Sequence, residues 1–210
     1  IHGQGSYLLI MTIDFMKAVE LTRREQIIAV AARIFKDNGY AGASMRTIAD
    51  AVGIEASSLY NHIHSKQDIL STICFNIGND YIQGLDSLLS APLSCHHKIE
   101  QIIHLHIDLA SKYKDNMQVF EEEWKHLKGK DLREFRAMRA YYEHQLSNFF
   151  KESIEQGVLY HYNPEIIVFY FLSSLKWLNY YFKENKEQNI EMVKANLVQI
   201  LSKGLFRETY

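Results

Sequence analysis

The 210-residue chain is short of the residues that interrupt or cross-link a fold. Only 2 prolines and 10 glycines occur, too few breakers for many short strands joined by turns, so long helices are expected. The two cysteines, Cys74 and Cys95, form no CxxC pair and no Cys/His metal spacing. That excludes a disulfide framework and makes a reducing cytoplasm the expected setting. No apolar run approaches the roughly 18 residues of a membrane span. The run YLLIM (7–11) is too short for a signal-peptide core and has no Lys or Arg before it. Residues 1–21 are read as a flexible arm. The first fifteen are an arm, a cloning remnant or an upstream stretch, with Met11 and Met16 as candidate starts. Strand alternation, internal repeats and low-complexity stretches are missing too. So are a nucleophile elbow, a phosphate loop and HExxH. His104 and His106, two apart on a helix, face different ways and cannot chelate together. No catalytic residue, metal or cofactor is expected.

Hydrophobic residues make up 47% and charged residues 23%, which excludes wholesale disorder. Aromatics are plentiful, with 13 Tyr, 11 Phe and 2 Trp. Caps divide the chain into about nine helices. Thr22 and Glu25 form a capping box ahead of Ile27, Ala31, Ile34 and Phe35, and Gly39 is the stop. Ser44 opens a short helix with Met45, Ile48, Ala49 and Val52 on one face, closed by Gly53. A third runs from about Ala56 to Ile63. Ser65 and Asp68 open a long helix that ends before Pro92. Five more are read at about 94–114, 116–128, 131–156, 164–183 and 189–206, with Asp131 and Glu134 capping one start and Asn163-Pro164 another. The fold class is all-α, with a small N-terminal domain at 22–68 and a larger one at 69–210.

The stretch SMRTIADAVGIEASSLYNHI (44–63) is a helix-turn-helix. Ala49 permits close helix crossing, Gly53 makes the turn, Ile54 plugs the angle and Leu59 faces the core. Ala56, Ser57, Ser58, Asn61 and His62 are left pointing outward, short or hydrogen-bonding side chains suited to the major groove. With its flanks, Gly39-Tyr40, Ser65-Lys66 and Leu70, the stretch resembles the DNA-binding domain of the TetR family of bacterial transcriptional regulators. The match covers about 22–73. Glu55 departs from the Ser or Thr common there, and Ile63 from Phe. The resemblance implies that Tyr60 and Lys66 hold backbone phosphates, assisted by Thr47 and the Ser44 helix terminus with Arg46. It leaves Asn61, Ser57, Ser58 and His62 for base edges. Phosphate contacts position such a module and outward polar groups read sequence. The net charge of −2 does not oppose this, because residues 22–70 carry six Lys/Arg against five Asp/Glu.

The helix at 164–183 is apolar or aromatic on nearly every face and needs burial on two sides. Paired with the stripe of the last helix, it is read as a homodimer interface through Phe169, Leu172, Trp177, Tyr180, Val193, Leu197, Ile200 and Leu201. The middle helices supply Tyr81, His106, Tyr113, Phe120, Trp124, Met138, Tyr142 and Phe149 as candidates to line a cavity for a small apolar or amphipathic inducer. Residues 119–146 and 154–160, with the aromatic helix, also resemble the C-terminal domains of TetR-like regulators of fatty-acid and steroid breakdown, some of which sense acyl-CoA thioesters. The ladder Lys130, Arg133, Arg136 and Arg139 either meets coenzyme A phosphates or is a solvated face paired at i,i+4. The implied function is a ligand-responsive regulator, a repressor binding a palindromic operator in double-stranded DNA as a dimer. The alternative is a dimeric small-molecule-binding or interaction protein with a vestigial DNA module, favoured by Glu55 and the weak positive charge.

Overall fold

The computed structural model describes residues 21–184, 189–203 and 205; of the expected arm, all but Leu21 lies outside the described residues. Ten α-helices occur among them: α1 Arg23–Gly42, α2 Met45–Val52, α3 Ala56–Leu59, α4 Lys66–Ser90, α5 Cys95–Tyr113, α6 Asp115–Glu122, α7 Gly129–Glu155, α8 Pro164–Leu175, α9 Leu178–Glu184 and α10 Ile190–Lys203. A 3-10 turn, Trp124–His126, joins α6 to α7.

The caps that the sequence announces are in place. Thr22 and Glu25 satisfy one another's backbone N–H, as do Ser44 and Thr47, and Ser65 and Ser94 accept from the third residue beyond them. Gly39, at φ 71°, interrupts α1 where the stop was expected, and three more residues follow before Ala43.

Four expectations need correcting. The third helix stops at Leu59 rather than Ile63, because Asn61 and His62 donate to Ser58 and Leu59 three residues back, which tightens the chain into turns. The helix expected at 116–128 ends at Glu122 and continues only as the 3-10 turn. Lys128, without a side-chain cap bond, precedes α7, so Asp131 sits inside the first turn, where it favours the helix dipole. The long aromatic helix is broken at Lys176 and Trp177. There Ser174 Oγ donates 2.7 Å back to the Tyr170 carbonyl and Lys176 N–H reaches only three residues, to Ser173; such back-bonding bends helices.

The first three helices close over Ile27, Ala31, Phe35, Ile48, Leu59 and Ile63, all without solvent exposure. At Ile63, therefore, the departure from Phe is a packing change. α4 crosses into the second unit. Arg24 pairs with Asp68 at 3.0 Å and donates to Thr72, which ties the start of α1 to the start of α4. From there α4 extends about 37 Å between α5 and α7, while α10 lies on α5 and α6 on α1. Close approach of α4 and α7 depends on Gly78: a Cβ there would fall 2.2 Å from Met138 Sδ.

Gly53 closes α2 in the left-handed conformation, φ 74° and ψ 39°. Gly53→Ala is expected to lower the stability measured by urea unfolding by about 1 kcal/mol. Gly42 has ordinary φ and its added Cβ meets only Asn38 Cβ, at 3.7 Å. Gly42→Ala should therefore match or raise the wild-type midpoint.

Candidate functional site

Ser44, Arg46, Thr47, Ala56, Ser57, Ser58, Tyr60, Asn61 and His62 are all exposed on the helix-turn-helix. Leu59 and Ile63 are fully buried on its other side. Tyr60 is 52% exposed, so its ring is not a core aromatic. The hydroxyls of Ser44 and Thr47 are engaged with each other and with the start of α2. Glu55, also exposed, precedes α3 without a side-chain cap bond and keeps its carboxylate on this surface.

Lys66 is placed differently from an exposed phosphate ligand. It is half-buried, and Nζ donates to the carbonyls of Tyr40 (2.7 Å) and Ala43 (2.6 Å) at the end of α1. The ammonium also lies 4.3 Å from the centre of the Tyr40 ring. Burial, then the nearby Lys128, holds its pKa below the ordinary lysine value. Two of its three donors are thus spent inside the protein.

Tyr40 also meets the second unit. His126 stacks on its ring at 5.2 Å and 22°, and its backbone N–H donates to the Glu123 carboxylate at 3.2 Å. Glu123 in turn pairs with His126 at 3.3 Å. Glu123 and His126 belong to the same short stretch as Phe120, Glu121 and Trp124, which line a cavity on the opposite side.

That cavity has a volume of about 470 Å³, within the usual range of ligand pockets. Of the eight candidates, Tyr81, His106, Phe120, Trp124, Met138 and Tyr142 line it, while Tyr113 and Phe149 do not. Tyr113 turns away to donate to Asp80 at 2.7 Å, beside Lys112. Phe149 packs on Phe150. Sequence reasoning missed most of the polar wall, Glu121, Glu143, Ser173, Lys176 and Asn179. Arg139 had a signal: with Phe135, Met138 and Tyr142 it falls on one helical face. Of the basic ladder it alone lines the cavity, where it stacks over Trp124 at 4.8 Å and pairs with Glu143 at 3.9 Å. Lys130 pairs with Glu134 as a solvated i,i+4 pair. Nothing in the acidic run 121–123 marked Glu121, whose carboxylate accepts from Asn179 Nδ2.

The residues read as a dimer interface divide. Phe169, Trp177, Tyr180 and Ile200 are exposed, by 68%, 42%, 64% and 62%. Leu172 and Phe169 line the cavity. Val193, Leu197 and Leu201 are buried within the chain itself, on the side of α10 that lies on α5, and cannot face a partner. Ile166, Tyr170 and Met192 are exposed in their stead. No group of three or more His, Cys, Asp or Glu able to hold a metal ion occurs among the described residues. Among them, too, no helix is long and apolar enough to cross a membrane.

Two outcomes follow from these placements. Lys66→Ala is expected to destabilise the protein by about 1–2 kcal/mol, the worth of charged hydrogen bonds to two carbonyls, whereas Tyr60→Phe leaves the unfolding curve unchanged. Burial, opposed by Lys176 and Arg139, pushes the Glu121 carboxyl up from 4.5 to about 7. The unfolded carboxyl ionises at lower pH than the folded one, so the native state binds the extra proton and stability falls as pH rises from about 4.5 to 7. Buried His106, held down to about 3, acts in the opposite direction below its ordinary 6.5. From about 4.5 to 6.5 the two offset one another, so urea midpoints of Glu121→Gln should climb with pH across that window while those of the wild type stay level.

Residues 27–73 match the family described as bacterial regulatory proteins, tetR family, and residues 92–205 match the tetracyclin repressor-like C-terminal domain. The chain is 26% identical over 105 residues to the HTH-type transcriptional repressor KstR2 of Rhodococcus jostii, covering 50% of this chain and 52% of that relative. Thus it spans about half the length of that protein. Over 191 residues it is 21% identical to KstR2 of Mycolicibacterium smegmatis, covering 88% and 91%. Its fold is similar to that of AibR, solved in complex with isovaleryl coenzyme A and operator DNA, with a TM-score of 0.73, 23% identity and coverage of 85% and 97%. A helix-turn-helix head joined to a cavity-bearing body, with the C-terminal match spanning over half its length, places the chain in the TetR family of bacterial regulatory proteins.

Proposed function

We propose that the chain is a homodimeric repressor that binds a palindromic operator and is released when the acyl end of a coenzyme A thioester enters the cavity. The carrying observation is the cavity itself, which shares the segment 120–126 with the contact to Tyr40. Residues 22–68 are the reading head on this account, and residues 69–210 sense and dimerise. TetR regulators bind operators as dimers and respond to small molecules, and the similar fold of AibR was solved with isovaleryl coenzyme A and operator DNA. The cavity is smaller than a whole coenzyme A thioester, and its aromatic wall suits the acyl end. Only the acyl end is enclosed. The exposed rim offers Arg139 and Lys176 to the anionic remainder.

The dimer face is the exposed apolar row of Ile166, Tyr170, Trp177 and Tyr180 on the α8–α9 surface, with Met192 and Ile200 of α10. Such a patch needs a cover. In the dimer, two reading heads one DNA turn apart, roughly 34–36 Å, engage a two-fold site. The head carries little net charge, so affinity depends on the pair of heads, and binding weakens with salt. Tyr60 and the exposed hydroxyls of α3 contact DNA directly, while Lys66 acts chiefly by holding the end of α1.

Tyr170→Asp with Tyr180→Asp should sediment as a folded monomer and lose operator binding. Leu197→Asp, by contrast, should lower the melting temperature, since Leu197 is only 6% exposed. Gel-shift titration of the genomic segment flanking the coding sequence tests the DNA reading. Tyr60→Phe should weaken a salt-sensitive complex without loss of stability. Absence of any specific complex would favour a vestigial DNA module instead. Acyl-CoA thioesters should raise the melting temperature and free the DNA, while the matching free acids should not.

A further inference from the structure

The aromatic wall of the cavity contains a buried polar pair. His106 Nε2 and Tyr142 Oη lie 2.9 Å apart, on α5 and α7. Each residue is 8% exposed, and both line the cavity. Two rings hold the pair in place. Tyr81 lies 4.8 Å from the imidazole and 5.7 Å from the Tyr142 ring, and Phe171 packs edge-on against His106 at 6.2 Å. The rim cations are elsewhere: Arg139 and Lys176 are exposed, while the pair sits on the buried side.

A phenol oxygen has one proton to give and lone pairs to accept with. Its bond to Nε2 uses only one of these. If imidazole donates, Tyr142 keeps its proton; if Tyr142 donates, it keeps a lone pair. In either tautomer an oriented hydroxyl retains hydrogen-bonding capacity next to the cavity. A purely hydrocarbon ligand would strip water from that hydroxyl and give nothing back, at the cost of an unsatisfied polar group. A carboxylate at the same place would lose its hydration to a neutral pair, while Arg139, a helical turn away, is engaged with Trp124 and Glu143. Burial keeps the imidazole uncharged, at about 3, and pushes the phenol well above its ordinary value, so the pair supplies no compensating charge.

We infer that the His106–Tyr142 pair anchors one uncharged oxygen, a ketone or alcohol, at the buried end of the ligand. Tyr142 makes the contact and His106 positions it. Resting on the cavity's role as the effector site, this narrows the ligand to an oxygenated acyl or ring system, as against a plain hydrocarbon chain.

The anchor can be tested without coenzyme A, using 1-decalone, 1-decalol, decalin and decalin carboxylate, all small enough for the cavity. Binding is read by calorimetry, with melting temperature as a check on folding. The wild type should bind decalone or decalol about five- to tenfold more tightly than decalin, and the carboxylate least. Tyr142→Phe should remove that preference, with decalin binding at least as tightly as it does to the wild type, and His106→Phe should reduce it. Equal wild-type binding of the ketone, the alcohol and the hydrocarbon would overturn the anchor, without recourse to any variant. So would a preference that survives Tyr142→Phe, or no binding by any of the four. The two readings fail separately. A Tyr142-dependent preference in a protein whose operator complex ignores every thioester removes the coenzyme A reading and leaves the anchor. Release by saturated and oxo-acyl thioesters alike, with no decalone preference, does the reverse.

Discussion

Tyr40 is where the reading head and the sensing body meet, and its contacts come from four directions. Lys66 lies over its ring and bonds its carbonyl. Phe35 packs edge-on from α1 at 5.2 Å, His126 stacks from the body, and Glu123 accepts from its backbone. Its hydroxyl donates to Gln67 at 3.2 Å. No one of these exceeds a few kcal/mol, but they share one residue and are lost together. The consequence is geometric. The end of α1, the start of α4 and the turn 124–126 are held as a unit, and α2 begins only two residues beyond α1. A shift of the turn is therefore felt at the helix-turn-helix.

Local grammar made much of this legible. Caps and the helix-turn-helix depend on residues three or four apart, so Thr22, Ser44, Gly53, Leu59 and Ser65 announce their roles in sequence. Contacts made at a distance stay hidden. Nothing near Lys66 marks its attachment to carbonyls more than twenty positions earlier. Periodicity showed that α10 has an apolar stripe; it does not say whose surface covers Val193, Leu197 and Leu201, and the answer is α5 of the same chain. Aromatic content likewise nominates cavity residues without fixing which way each points. Tyr81 and Tyr142 face inward, and Tyr113 is drawn to Asp80 by a hydrogen bond no spacing rule contains. The break between α8 and α9 coincides with one serine bonding its own backbone, a choice open to every helical serine.

The cavity is polarised by the same packing that makes it. On α7, Phe135, Met138 and Tyr142 present one face inward, and Arg139, adjacent to Met138, turns its charge to the rim over Trp124. Gly78 allows Met138 to approach α4, which sets the width of the space at that level. Glu121 is the exception, an acid half-buried in the wall and held by Asn179 of α9. Its raised pKa means that the wall can carry a neutral carboxyl near pH 7, so a ligand need not be positively charged to be accepted there.

Coupling between cavity and DNA is limited by energy as much as by connection. A ligand shifts an equilibrium only by the difference in its affinity for the two states, and DNA must shift ligand affinity by the same factor. The segment 120–126 is where such a difference can arise. Phe120, Glu121 and Trp124 face the cavity, while Glu123 and His126 face Tyr40, and alternate residues of one short rigid stretch cannot move independently. A ligand that fits without displacing Trp124 or Glu121 would bind and leave the operator complex intact. One that moves them by even a fraction of an ångström works against a stacked, hydrogen-bonded junction, which has few intermediate arrangements. Effector strength should thus follow displacement of this segment more closely than it follows affinity.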